Sequence, residues 1–106
     1  MAAKTRRQQL EEMIADDPSD ALSRYFLAMD YAGAGENDEA WRRFEEMLAR
    51  TPEYVPAYLQ AGQLLVRMGR PGQAGDVFRK GIEAARRQND EHAAGEMEAF
   101  LQQLVG

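Results

Sequence analysis

Apolar residues in this chain recur at helical spacing, with polar residues filling the positions between them. Leu10, Met13 and Ile14 share one face of a first segment from about Ala3 to Ala15. Asp16-Asp17-Pro18 ends it, because the residue before a proline is pushed out of helical geometry. Ser19 or Asp20 offers an N-cap oxygen to a second helix, which runs to about Ala32 with Leu27, Ala28 and Tyr31 on one stripe. Gly33-Ala34-Gly35 supplies a turn in which positive φ is cheap. Asn37 or Asp38 then caps a third helix to about Arg50, with Ala40, Phe44, Met47 and Leu48 inward, and Thr51-Pro52 repeats the earlier stop. The fourth helix opens near Tyr54, carries Pro56 in its first turn and continues through Tyr58, Ala61, Gly62, Leu65 and Val66 to Gly69. The fifth spans about Pro71 to Arg87 with Ala74, Phe78, Gly81 and Ile82 inside. After Asn89-Asp90, a sixth places Ala93, Met97, Phe100, Leu101 and Leu104 on one face. Strand-type alternation is absent, so the expected class is all-α, six antiparallel helices on short turns. Gly72, Gly75 and Gly81 each weaken the fifth helix by roughly 0.8–1 kcal/mol relative to alanine. Gly81 has a packing reason, since a small residue admits a neighbouring helix; Gly75 has none visible, and this helix is expected to fray first.

The helices are not independent of one another. Pro18 returns as Pro52, Gly35 as Gly69, Ala40 as Ala74, Phe44 as Phe78 and Leu48 as Ile82, each 34 residues on. One shared interval across five residue types marks a unit stacked on copies of itself. These positions resemble the tetratricopeptide repeat, a helix-turn-helix unit of that period. With Ala21 opening one repeat, the family's core places fall on Leu27, Ala28, Tyr31, Ala40, Phe44, Met47 and Pro52; with Val55 opening the next, on Tyr58, Ala61, Gly62, Leu65, Ala74, Phe78 and Gly81. Arg24 stands where the family prefers a bulky aromatic. Arg86 stands where a closing proline is expected, so the fifth helix should run on without a sharp stop.

The resemblance covers essentially the whole chain and implies a right-handed α-α superhelix in one domain over 1–106, of the small stand-alone kind found in bacteria. Residues 21–54 and 55–88 form two full repeats. Residues 3–18 resemble the second half of a preceding repeat, since Leu10, Met13, Ile14 and Pro18 align with Phe44, Met47, Leu48 and Pro52. Residues 90–105 form a capping helix whose register fits when shifted by one residue, with Ala93, Met97 and Phe100 inward.

Composition narrows the function. The chain has 106 residues, 44% of them hydrophobic and 29% charged, enough for a single core. A formal net charge of −5 disfavours nucleic acid as a partner. No cysteine is present, which removes disulfides, thiolate metal sites and thiol catalysis together. The longest aliphatic run, Leu64-Leu65-Val66, is far too short for a membrane span, and the start carries charge in place of a secretory apolar stretch; cytoplasmic residence without membrane attachment is expected. His92 is the only histidine, so no metal or other cofactor is expected and nucleophilic catalysis lacks a base. Glu11-Glu12, Glu45-Glu46 and Glu96/Glu98 read as solvated faces paired with nearby arginines. Lys4, Arg6 and Arg7 oppose the dipole of the first helix and read as a frayed, solvated terminus, with a weak docking site for an acidic partner as the alternative.

In the tetratricopeptide family the first helix of each pair lines a concave groove that receives a peptide. That carries over here to Leu22, Tyr25 and Met29, then Leu59, Gln63 and Val66, with Glu91, Ala94 and Glu98 at the far wall. The resemblance therefore implies a non-catalytic module for a protein or peptide partner, monomeric or weakly self-associating. The expected ligand is an apolar or mildly basic segment anchored on Tyr25, because Tyr25, Met29, Leu59 and Gln63 stand at the positions where a terminal-carboxylate clamp of the family carries Lys, Arg and Asn. The alternative is a structural unit that self-assembles through exposed helix faces or the ends of the stack. Trp41 is expected half-buried on the outer helix of its pair.

Overall fold

The structure is a computed structural model that describes residues 2–105. Its helices are α1 (Arg6–Asp16), α2 (Ala21–Gly33), α3 (Asn37–Arg50), α4 (Val55–Arg67), α5 (Pro71–Arg87) and α6 (Glu91–Val105), and no strand occurs among the described residues. The chain forms two compact units, Met1–Met47 and Leu48–Gly106.

In the first unit α1 begins later than the hydrophobic pattern suggests, because Thr5 caps it. The Thr5 hydroxyl accepts from the Gln8 amide at 3.1 Å, and the Thr5 amide donates to the Gln8 side chain at 2.9 Å, a reciprocal capping box. The basic start is therefore not frayed. Arg7 donates to Asp30 at 2.9 Å and to Glu36 at 2.7 Å, and its guanidinium lies 3.8 Å from the Tyr31 ring centroid, so it pins α1 to α2. The Glu36 hydrogen bond, with Asp30 beside it, pushes the Arg7 pKa up against the opposing effect of burial. Of the three apolar residues expected inward on α1, Leu10 is buried and Ile14 half-buried, whereas Met13 is 50% exposed.

Asp20, rather than Ser19, caps α2. Its carboxylate accepts from the Ser23 hydroxyl at 2.6 Å and the Ser23 amide at 3.0 Å, bonds that hold its pKa down. Ser19 instead donates to Asp17. Asn37 is already the first residue of α3, so neither Asn37 nor Asp38 is the cap; the Glu36 carbonyl accepts the amide of Ala40. Trp41 is half-buried, and Phe44 is fully buried with Tyr25 edge-on to it at 6.4 Å.

Arg24, the apparent misfit, has a structural counterpart one repeat on. Its Nε donates to the Pro18 carbonyl at 3.0 Å, and in the second unit the Tyr58 hydroxyl donates to the Pro52 carbonyl at 2.7 Å. Both residue pairs are offset by 34, so two different side chains fasten the same backbone oxygen.

The second unit packs α5 against both α4 and α6 through glycines. A Cβ at Gly62 would lie 2.3 Å from Phe78 Cε1, and one at Gly81 would lie 2.5 Å from both Tyr58 Cβ and Met97 Sδ. These contacts let helix backbones approach to a depth that any larger residue forbids. Phe78 in turn stacks on Phe100, centroids 5.6 Å apart and rings within 7° of parallel. On α6 the buried pair is Ala94 and Met97, with Ala93 only half-buried, which corrects the expected register. Gly75 is buried beside Leu101, yet a methyl there would find ordinary contacts of 3.4 and 3.6 Å. Without a closing proline, α5 continues to Arg87, which pairs with Glu53 at 2.8 Å, while the Gln88 side chain donates to the Glu53 carbonyl. The chain leaves through Asn89 at φ 58°, a left-handed position that asparagine tolerates. Gly35 and Gly69 hold the corresponding left-handed places at φ 77° and 74°.

Candidate functional site

With the core satisfied inside each unit, several large apolar side chains remain in solvent on the first helices. On α2, Leu22 is 53% and Phe26 37% exposed. Tyr25 and Met29 are half-buried and, with Arg6, Phe26, Asp30, Gly33 and Ala34, line a recess of about 630 Å³. The Tyr25 ring stands 5.8 Å from the Phe26 ring and 6.4 Å from the Phe44 ring, edge-on to the latter. The Arg6 guanidinium lies 5.7 Å from the Phe26 ring. Sequence reasoning missed Phe26 and weighed Arg6 only as part of the basic start. The one legible signal was that Phe26 follows Leu22 by four residues and so shares its helix face.

In the second unit, Gln63 and Val66 line a smaller recess of about 270 Å³ with Arg67, Phe100, Gln103 and Leu104. Val66 is 42% exposed there. Leu59 is half-buried on α4. The expected acidic far wall is altered. Ala94 is buried in the core and cannot meet a ligand, and Glu98 is ion-paired with Arg86 of α5. Glu91 remains exposed.

Other charges are similarly engaged. Glu39 accepts from Arg42 and Arg43, contacts that pull its pKa to about 2, and His92 sits in solvent beside Glu96 at 3.1 Å. Burial pushes the Tyr58 phenol up. No group of three His, Asp or Glu is arranged to hold a metal among the described residues, and no described helix is long and apolar enough to cross a membrane.

These helix pairs, their glycine seams and their matching turns agree with an independent match. The tetratricopeptide repeat profile matches residues 31–95. The chain belongs to the tetratricopeptide repeat family. A TPR repeat-containing protein of Pseudomonas aeruginosa is 27% identical over 95 residues, covering 90% of each chain. The solution structure of a tetratricopeptide repeat domain from Salinibacter ruber is 31% identical, with a TM-score of 0.78, covering 83% of this chain and 89% of that one. The fold is also shared with PcrH, solved in complex with the chaperone binding region of PopD: TM-score 0.85 at 16% identity, covering 93% of this chain and 75% of that one. Tetratricopeptide repeats commonly mediate protein–protein interaction and are generally non-catalytic, and they place this chain among all-α helical-repeat proteins.

Proposed function

We propose that this repeat chain is a non-catalytic interaction module that takes a peptide segment of a protein partner on the first helices of its pairs. Leu22, Tyr25, Phe26 and Met29 serve in the first unit, and Leu59, Gln63 and Val66 in the second. The observation that carries the reading is that three of the four large apolar side chains exposed among the described residues, Leu22, Phe26 and Val66, lie on α2 and α4, Met13 on α1 being the fourth. Covering such apolar surface favours association, so exposed side chains of this size can anchor a short segment on either unit. PcrH, which shares the fold, is described with a segment of another protein bound, and that supports a peptide as the kind of ligand.

The test is selection of peptides from a displayed random library, followed by titration of the labelled chain with the selected peptide. Amide shifts are expected at Tyr25, Met29, Gln63 and Val66. Leu22→Glu and Val66→Glu should fold as the parent does and lose at least tenfold in affinity, a loss of about 1.4 kcal/mol. Shifts confined to α3 and α5, or unchanged affinity in both variants, would refute the proposal.

A further inference from the structure

The recess between α4 and α6 carries a more specific message about the ligand. Its floor is fixed, because Phe100 is held in a parallel stack on the buried Phe78 ring. Its volume is about 270 Å³. An apolar cavity of about 150 Å³ accommodates benzene, so this recess admits one aromatic or branched side chain together with part of its backbone. The amides of Gln63 and Gln103 stand at the same recess, and each offers a donor and an acceptor.

Arg67 is the charged residue among those lining it, and no carboxylate lies in that set. Arg7, Arg42, Arg43, Arg79, Arg86 and Arg87 all have carboxylate partners. Arg67, in contrast, has no ion pair, hydrogen bond or ring contact among the described residues. On α6, Glu98 is occupied by Arg86 and Glu96 stands beside His92. A guanidinium with five free donors beside an apolar floor is complementary to a carboxylate carried next to an apolar side chain.

We propose that the α4–α6 recess seats an apolar side chain of a partner peptide while a neighbouring Asp or Glu side chain of that peptide pairs with Arg67. This rests on the reading of α4 as part of the binding face, and it reverses the mildly basic ligand expected from sequence. The backbone favours a side-chain carboxylate over a chain terminus. Capture of a terminus uses free backbone N–H groups or, in this family, a clamp of Lys, Arg and Asn side chains, and no lysine or asparagine stands with Arg67 at this recess. The amides following Arg67 are already committed: Met68 donates to Leu64, Gly69 to Val66 and Arg70 to Leu65.

The experiment uses random dodecapeptides displayed with their carboxyl ends fused to the carrier, selected in parallel against the full chain and its Arg67→Glu variant. Circular dichroism verifies that the variant is folded; Arg67→Gln provides a second, neutral variant. Selection on the parent should enrich an apolar residue with Asp or Glu within four positions, and selection on Arg67→Glu should enrich Lys or Arg there instead. For the leading synthetic peptide, replacing its acidic residue by the amide should weaken binding about tenfold to the parent and leave Arg67→Gln binding unchanged. The acidic preference should shrink as salt rises.

Enrichment of neutral or basic peptides by the parent overturns this proposal while leaving the peptide-binding reading intact. So does an unchanged preference in Arg67→Glu, or a free terminal carboxylate outbinding the blocked peptide. Absence of any enrichment overturns both.

Discussion

Replacement of Gly62 by alanine tests the glycine seam most directly. The added methyl carbon would fall 2.3, 2.5 and 2.7 Å from three carbons of the Phe78 ring. That ring is fully buried and stacked on Phe100, which limits how far it can shift. Forcing extra volume into a packed core costs about 1–3 kcal/mol, and contacts this short belong at the upper end. Alanine recovers about 1 kcal/mol of helix propensity. The net expectation is a loss of about 2 kcal/mol, or roughly 8–16 °C in Tm for a domain of this size. Urea unfolding followed by far-ultraviolet circular dichroism measures it, with Gly95→Ala as the control. Nothing lies within 4 Å of a methyl at Gly95, so that variant should gain about 1 kcal/mol. A second variant adding Phe78→Leu to Gly62→Ala should cost less than the two changes taken separately. Should Gly62→Ala match the parent in stability, the close approach of α4 and α5 would be refuted and the register of the second unit with it.

Gly81→Ala should also destabilise, by about 1–2 kcal/mol, because Tyr58 Cβ lies near the backbone and cannot swing aside as the tip of Met97 can; the same urea midpoints decide. Arg24→Leu should cost about 0.5 kcal/mol, since the Pro18 carbonyl it releases is solvent-accessible and water can replace the guanidinium, whereas Arg24→Tyr should restore most of it, as compared by thermal unfolding. The Glu39 carboxyl has a folded pKa of about 2 against an ordinary 4.5, so its pairing with Arg42 and Arg43 stabilises fully above about pH 4.5 and is lost as pH falls toward 2. Glu39→Gln should therefore flatten the acid side of a stability–pH profile and leave the slope above neutrality unchanged.

Much of the fold was readable because the periodic residues are also those with the strictest geometric demands. Gly35 and Gly69 occupy positive φ, and Phe44 and Phe78 are fully buried, as residues recurring at one interval should be. What escaped depends on side-chain reach. Arg7 finds Asp30 23 residues away, and no local pattern distinguishes that arginine from Arg6, which rests near Phe26. Ala93 and Ala94 are adjacent and equally apolar, so only packing against α5 decides which turns inward. The candidate faces were legible as positions on helices, since Leu22, Tyr25, Met29, Gln63 and Val66 follow from repeat numbering. Their chemistry was not: that Glu98 is taken by Arg86 while Arg67 has no partner among the described residues depends on which long side chains meet in space.

The shared bond of Arg24 and Tyr58 reaches beyond this chain. A guanidinium and a phenol have little in common as letters, but each carries a donor at the end of a long stem, and here each stem ends on the oxygen of the proline six residues earlier. Substitution tables score that exchange as radical, and the profile match begins at residue 31, after Arg24. A hairpin of this kind nonetheless keeps its tether to the preceding turn when the ring is traded for an arginine.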